Sequence, residues 1–180
     1  MMSCEQTKGM TVLEHGMSVK NYLNDLISHL RDKTPLKYQW KLPEWVLENS
    51  EFILSKLPDE KTMHLYTTYH DCGKPFCLEV DSDGKRHFPN HAEKSYEIFK
   101  QVFKNEQAAE LIRHDMDIHL LKSEGVEEFC KNPLAIALLI TGLSEIHSNA
   151  AMFGGIDSTS FKIKLKSITQ RGKQIINLLK

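Results

Sequence analysis

Apolar residues recur at intervals of three and four along most of this chain, a pattern typical of amphipathic helices. It is clearest over residues 10–31, where Val19, Leu23 and Leu26 share one face with His15. Further helices are predicted over residues 43–57, 60–71, 106–119, 124–132, 133–149 and 160–180, with another that follows Asn90. The helix over 133–149 is apolar on nearly all sides, so we expect it to be the most buried.

Residues 77–88 depart from the helical pattern and predict a small β-hairpin. Short strand-like segments flank the sequence from Asp81 to Gly84, and an Asp-Gly pair is a frequent hairpin turn. The chain contains no repeat and no linker, and its 180 residues fit one domain better than two. We therefore expect a single all-α domain over residues 1–180, with the hairpin as an insertion.

Composition narrows the classes of partner. The formal net charge is -1, so no overall field attracts nucleic acid or an anionic membrane. None of the four cysteines forms a C-x-x-C pair, the first residues contain no apolar signal region, and the longest apolar run is too short to span a bilayer. These features predict a soluble, cytoplasmic protein with reduced thiols and no membrane partner.

Several histidines lie where a solvated surface position does not explain them. One is on the buried stripe of the first helix, one is followed by an aspartate at a helix end, one opens a helix, and one lies in a later helix. Buried imidazole and carboxylate groups need hydrogen bonds or a metal. One or two divalent transition-metal ions would satisfy them all, and the mixed donors suit Zn, Mn, Fe or Ni better than Ca. The candidate ligands are His15, His70, Asp71, His91 and His114.

The motifs around these residues resemble the HD superfamily of metal-dependent phosphohydrolases. The segment YHDCGKP, residues 69–75, matches its HD-x-G-K-P stretch, and FPNHAEKS, residues 88–95, matches its F-x-x-H-x-x-x-S stretch. EHGMSV around His15 resembles the family's first histidine, and IRHDMDIH resembles the segment with a further one, here His114. The resemblance implies an all-α HD-domain helical bundle with a metal site between helices.

Two features depart from the family pattern. His15 and His70 stand 55 residues apart, farther than in compact members, and the helix over 43–57 is the candidate for the extra piece. The family places its last ligand, an aspartate, on a late apolar helix, where this chain has Glu145. Glu145 is therefore the sixth candidate metal ligand. The alternatives are that this position is no ligand, or that Asp157 serves from a loop.

The sequence allows two interpretations of the segment that contains His114. His114 and Asp115 are adjacent, and Asp115 shares a helical face with Leu111 and Ile112. The inward-facing residue is therefore either His114 or Asp115.

The resemblance also implies the chemistry. A bound cation, one or two of Mn, Fe, Ni, Co or Zn, would supply activated water to a phosphate ester. We expect the substrate to be a phosphate-bearing nucleotide or a nucleic-acid end, as a monoester or a cyclic phosphodiester. Asp71 and Lys74 are the expected catalytic residues. Lys74, Lys94 and Arg113 are the expected phosphate contacts.

Two rival functions and one accessory site remain open. The first rival is a di-iron oxygenase, since inositol-oxygenase-like enzymes use the same ligand scaffold. The second is a non-catalytic, nucleotide-binding HD module, for which the missing terminal aspartate is the argument. In the hairpin, Lys85, Arg86 and His87 are expected to contact substrate at the mouth of the site.

Overall fold

The computed structural model of the protein describes residues 1–7 and 9–180, which are mostly helical with two small antiparallel strand pairs. The all-α prediction is therefore confirmed. The strands are β1 (Glu5–Thr7), β2 (Met10–Thr11), β3 (Glu79–Val80) and β4 (Arg86–His87). The helices are α1 (Val12–Asp32), α2 (Glu44–Glu48), α3 (Ser50–Lys56), α4 (Glu60–Tyr69), α5 (His91–Val102), α6 (Glu106–Arg113), α7 (Asp117–Leu120), α8 (Val126–Phe129), α9 (Ala135–Ser148) and α10 (Thr159–Leu179).

The chain forms two compact units. The first consists of residues 1–20 and 59–116, and the second of residues 21–58 and 117–180. Each unit takes two separate stretches of chain, and α1 contributes its first turns to one and its remainder to the other. The single domain expected over residues 1–180 stays a prediction.

The first unit is built on α4, α5 and α6. Their apolar faces pack together and bury Met63, Tyr66, Phe99, Leu111 and Ile112. Burying one large apolar side chain of this kind contributes roughly 1.5–3 kcal/mol to the stability of the fold. The residues just beyond the C-terminal end of α4 and at the start of α5 are thereby held on a rigid frame.

Two hairpins accompany these helices. In the predicted hairpin, Glu79 pairs with His87 and Val80 with Arg86, and Gly84 takes the positive φ of +75° that the turn needs. The prediction of a hairpin within residues 77–88 is confirmed. A second hairpin of β1 and β2 was not predicted, because its strands have only three and two residues and no alternating pattern.

The second unit is organised around α9, which is buried along almost its whole length, as expected from its apolar sequence. Helix α10 packs along it, and Trp45 of α2 lies against Gly172 of α10, where a Cβ atom would overlap the indole ring. Among the residues that the structure describes, no helix is both long enough and apolar enough to cross a membrane.

Two predicted helices are interrupted. The helix expected over 43–57 breaks at Asn49, whose φ of -119° lies outside the helical region. Its side-chain amide shares the Trp45 carbonyl oxygen with its own backbone N–H. The helix expected over 106–119 ends at Arg113, and α7 follows after a turn. At that turn the Asp115 amide bonds to the Ile112 carbonyl, a tighter three-residue link that closes the helix.

Candidate metal centre

Asp71, two residues beyond the end of α4, lies at the centre of a buried cluster in the first unit. Its side chain is 2% exposed. The Oδ2 atom is 3.6 Å from His15 Nε2 and 3.3 Å from His70 Nε2, and the Oδ1 atom is 3.6 Å from His91 Nε2. Three imidazole nitrogens thus converge on one carboxylate. The structure brings together four of the six expected ligands in this way.

Backbone carbonyl groups orient two of these rings. His70 Nδ1 lies 2.8 Å from the Thr67 carbonyl oxygen, and His91 Nδ1 lies 2.9 Å from the Phe88 carbonyl oxygen. A carbonyl only accepts, so each Nδ1 donates its proton and each Nε2 keeps its lone pair. This arrangement of the outer nitrogen is the usual one for histidines that ligate a metal.

The remaining ring, His15, is completely buried on α1. Its Nε2 atom is 3.2 Å from His70 Nε2. Gly16 allows this approach, because a Cβ atom there would overlap the carbonyl of Thr68 near the end of α4. The sequence EHG therefore places the candidate ligand His15 beside the small residue that lets its helix approach α4.

A second close approach fixes the turn after Asp71. The Gly73 amide donates to Ser95 Oγ over 2.8 Å, and a Cβ atom on Gly73 would overlap the α5 backbone. The Cys72 thiol donates to the Ser95 carbonyl oxygen. Burial raises the pKa of that thiol to about 11, so Cys72 remains protonated and acts as a donor. Gly73 and Ser95, which belong to the two motifs, therefore fix the turn after α4 against α5.

Lys74 completes the centre. Its Nζ atom is 2.7 Å from Asp71 Oδ2 and 3.0 Å from Gln6 Oε1, and it stands 5.4 Å from the centroid of the Phe88 ring. Burial alone would raise the pKa of Asp71, but the positive charges of His70, when its ring is protonated, and of Lys74 outweigh burial and hold that pKa well below its usual range. Asp71 is therefore an anion at neutral pH.

His114 and Asp115 are placed differently from each other. The His114 side chain is 39% exposed, with its Nε2 atom 3.8 Å from Glu110. Asp115 is 3% exposed and accepts a hydrogen bond of 2.6 Å from the Tyr66 hydroxyl group. The buried side chain of the pair is thus Asp115, the alternative that the helical pattern allowed. Metal ligation by His114 stays a prediction.

Lys94 and Arg113, the other expected phosphate contacts, form surface ion pairs. Lys94 Nζ is 2.9 Å from Glu97, and Arg113 Nε is 3.0 Å from Glu93. Both cationic side chains are 44% exposed. Their role toward substrate stays a prediction.

Two of the expected hairpin contacts also have partners inside the first unit. Arg86 donates to the carbonyl oxygen and the carboxylate of Glu5, over 3.0 and 2.6 Å. His87 Nε2 lies 2.8 Å from Asp81 Oδ2. The two hairpins are therefore joined, and β1 also carries Gln6, the partner of Lys74. The sequence contained no signal for Gln6, because it lies in a short segment without periodicity.

Glu145 lies in the second unit, on α9. Its Oε2 atom is 2.9 Å from His119 Nε2, and its side chain is 15% exposed. Asp157, the alternative ligand, is 83% exposed and paired with Lys41 at 2.6 Å. Ligation by Glu145 stays a prediction, and its burial fits a ligand better than the exposure of Asp157 does.

The cluster of the first unit fits a divalent transition metal. It offers three imidazole nitrogens and a carboxylate that is ionised at neutral pH, a donor set for Mn, Fe, Co, Ni or Zn. Both carboxylate oxygens face imidazole nitrogens, at distances of 3.3 to 3.6 Å.

Comparison with known families agrees with this geometry. A family model described as HD domain matches residues 15–143, most of the chain. No curated protein and no solved structure matches it. The matched range begins at His15 and includes His70, Asp71 and His91. This chain belongs to the HD-domain family.

Proposed function

We propose that the protein is a metal-dependent phosphohydrolase that removes phosphate from a nucleotide or a nucleic-acid end. Membership of the HD family supports the metal-dependent hydrolase class. The observation that carries the finer proposal is the Lys74 ammonium group, 2.7 Å from a carboxylate that three histidines surround. A cation beside a metal centre is suited to a phosphate substrate, whose charge it complements.

His15, His70, Asp71 and His91 would hold the metal, and His114 and Glu145 remain the further expected ligands. When bound, a divalent cation lowers the pKa of a coordinated water toward neutrality and so supplies hydroxide. The chain's own part is to keep each donor in place. The Thr67 and Phe88 carbonyl groups fix two imidazole tautomers, and Lys74 fixes the rotamer of Asp71.

Lys74 has a second task in this proposal. An ammonium group carries three N–H donors, and Asp71 and Gln6 accept two of them. The third can bind a phosphate oxygen of the substrate. Because Lys74 is only 8% exposed, such a contact would be poorly screened by water. Lys94, Arg113 and the hairpin residues would contact parts of the substrate farther from the reacting phosphate.

The test is a screen with protein purified without chelator. Nucleoside 2′-, 3′- and 5′-monophosphates, cyclic phosphates and oligonucleotides with phosphorylated ends are incubated with the protein and Mn²⁺, in air and under anaerobic conditions. We expect release of inorganic phosphate, or opening of a cyclic ester, to the same extent with and without oxygen. Asp71→Asn is the control, because it keeps the volume of the side chain and removes the charge.

Three outcomes separate this proposal from its rivals. Turnover that requires oxygen would favour the di-iron oxygenase. Nucleotide binding without turnover on any phosphate ester would favour the non-catalytic module. Equal turnover by the parent protein and Asp71→Asn would exclude the proposed centre as the site of reaction.

A further inference from the structure

Phe76 is the most exposed aromatic side chain of the protein. Its exposed fraction is 68%, whereas the next highest among the phenylalanine, tyrosine and tryptophan residues is 40%, at Tyr38. Among the residues that the structure describes, no other ring and no cationic group lies against it. The ring is therefore available to stack on a flat partner.

The backbone that carries Phe76 is fixed beside Lys74. The two residues begin and end a short 3₁₀ helix, Lys74–Phe76, which advances about 2 Å per residue. The Phe76 amide donates to the Gly73 carbonyl oxygen over 2.9 Å, and the Cys77 amide donates to that of Lys74 over 3.2 Å. The Cys77 thiol also donates to the Gly73 carbonyl oxygen. Phe76 and the proposed phosphate-binding lysine are thus held within one turn of each other.

Two further exposed apolar side chains continue from Phe76 along the hairpin. Leu78 and Val80 lie on one face, because successive residues of an extended chain alternate. Val80 pairs with Arg86 across the hairpin, so Arg86 shares this face. Arg86 reaches from there to Glu5 of β1, whose next residue is the partner of Lys74. The apolar face therefore borders the same lysine from the side of the hairpin.

The arrangement of these side chains indicates a binding surface. Single exposed apolar residues are common on soluble proteins, but contiguous ones mark places where a ligand or partner binds. Here three large apolar side chains are exposed within five residues, immediately after the lysine of the candidate centre. We therefore ask which chemical group a ligand of that centre could place on them.

The chemistry of the three side chains selects a nucleobase. They offer no hydrogen-bond donor or acceptor, which makes them unsuited to a sugar or a second phosphate. Every nucleobase has an aromatic face and stacks on aromatic side chains. Three side chains are too few for a stable protein interface. An anionic membrane fits poorly, because Glu79, Asp81 and Asp83 are exposed in the same hairpin.

We propose that Phe76, Leu78 and Val80 bind the base of a nucleotide whose phosphate Lys74 contacts. The inference rests on the proposed function and names its substrate class. That class is a nucleotide, or the terminal nucleotide of a nucleic acid, and not a sugar phosphate. Because this surface stacks on a base without hydrogen bonds to it, purines bind more tightly than pyrimidines, and adenine and guanine bind alike.

The first experiment measures binding and needs no turnover. Calorimetry of the full chain with Mn²⁺ compares adenosine 2′-, 3′- and 5′-monophosphates with ribose 5-phosphate, which has no base. We expect at least one adenosine phosphate to bind about tenfold more tightly than ribose 5-phosphate, since one stacked base contributes a factor of that order. A parent protein that binds none of the adenosine phosphates overturns the inference, as does equal affinity for all four compounds.

Variants of Phe76 test the aromatic ring itself. We expect Phe76→Ala to weaken binding of the adenosine phosphate about tenfold and to leave ribose 5-phosphate binding unchanged. Phe76→Trp should bind it at least as tightly as the parent, because the indole ring also stacks. Val102→Ala is the matched control, since Val102 is 69% exposed at the end of α5 and should bind like the parent. Unchanged nucleotide binding by Phe76→Ala, or equal weakening for both ligands, overturns the inference.

The same variants separate this inference from the proposed function. Nucleotide binding that depends on Phe76, without turnover of any phosphate ester, supports the inference and contradicts the proposed hydrolysis. Hydrolysis of ribose 5-phosphate and adenosine phosphates at equal rates, unchanged in Phe76→Ala, retains a hydrolase and overturns the inference. Sedimentation tests a second copy of the chain as the occupant. A parent dimer that Phe76→Ala dissociates, with unchanged nucleotide affinity, also overturns the inference.

Discussion

His70 in the first unit and His147 in the second have similar local structural environments and different contacts. Both are buried near the end of a helix, and each has Nδ1 2.8 Å from a backbone carbonyl oxygen, that of Thr67 or Leu143. They differ at the other nitrogen. His147 Nε2 accepts the Lys41 amide over 3.1 Å, whereas His70 Nε2 faces another imidazole and a carboxylate.

The comparison shows that burial of a histidine does not by itself indicate a metal ligand. His147 has both nitrogens satisfied by the protein and packs near Trp40, with ring centroids 4.5 Å apart and planes tilted by 37°. His70 directs the lone pair of Nε2 toward His15 and Asp71, which are themselves candidate metal ligands. The partner of Nε2 therefore distinguishes a structural histidine from a candidate ligand.

The largest expected effect is at Asp71. Asp71→Asn should lower the rate of phosphate release at least about 1000-fold, or about 4 kcal/mol of transition-state stabilisation. It should also remove most bound metal, as should His70→Ala. His147→Gln should keep the metal content of the parent. Equal metal loss in His70→Ala and His147→Gln would abolish the distinction between the two histidines.

Glu145 should give the next largest effect. Glu145→Gln should keep the fold, as judged by circular dichroism, and lower activity about 100-fold, on the order of 3 kcal/mol. Glu145→Asp should retain more activity, because it restores the carboxylate that the family uses. A Glu145→Gln variant as active as the parent would show that this residue is not needed for turnover.

Gly73→Ala should disturb the first unit through packing alone. Gly73 has an ordinary helical backbone, but a Cβ atom would overlap the amide of Ser95. We expect a loss of about 1–3 kcal/mol in the free energy of unfolding and weaker metal binding. Gly125→Ala is the matched control, since its Cβ atom would be 3.4 Å from the nearest atom, on Leu121. Urea unfolding and metal titration measure both variants, and similar behaviour would contradict the packing argument.

His147→Phe should destabilise the second unit without affecting metal. The ring can still pack near Trp40, but the Lys41 amide loses its acceptor, at a cost of roughly 1–3 kcal/mol in the free energy of unfolding. His147→Gln offers an acceptor again and should recover part of the loss. If His147→Phe instead loses metal at unchanged stability, His147 has been assigned the wrong role.

The smallest effect is a pH dependence. Burial lowers the pKa of His147 below its ordinary 6.5. The unfolded chain therefore takes up a proton first as the pH falls. Stability from this group is complete above about pH 6.5 and declines from there down to the folded-state pKa. Unfolding curves of the parent protein should show this decline, and His147→Gln should reduce it. Superimposable pH profiles would contradict the assignment.

Much of the fold followed from periodicity. The apolar stripe of α1, the apolar sequence of α9 and the Asp-Gly turn each predicted the element that the structure contains. The helix breaks at Asn49 and after Arg113 could not be predicted in this way, because they depend on side-chain hydrogen bonds that periodicity does not encode. Asn49 donates to the carbonyl oxygen of Trp45, and Asp115 turns toward Tyr66.

The centre was predictable where residue spacing carries the chemistry. Adjacent His70 and Asp71 predicted an imidazole and a carboxylate that face one centre. The ion pair between Lys74 and Asp71 was not predicted, because Lys74 was expected to contact substrate phosphate. Gln6 was not predictable, because its contact with Lys74 joins positions 68 residues apart. Nor was the difference between His114 and Asp115, since which of two neighbours turns inward depends on where the helix ends.

The most direct test of the account is the metal content of the protein purified without chelator, beside Asp71→Ala prepared in the same way. We expect at least one equivalent of Mn, Fe, Co, Ni or Zn in the parent and the loss of at least one equivalent in Asp71→Ala, with the fold retained. A parent that neither contains nor binds such a metal would contradict the proposed centre, as would an Asp71→Ala variant with the full metal content.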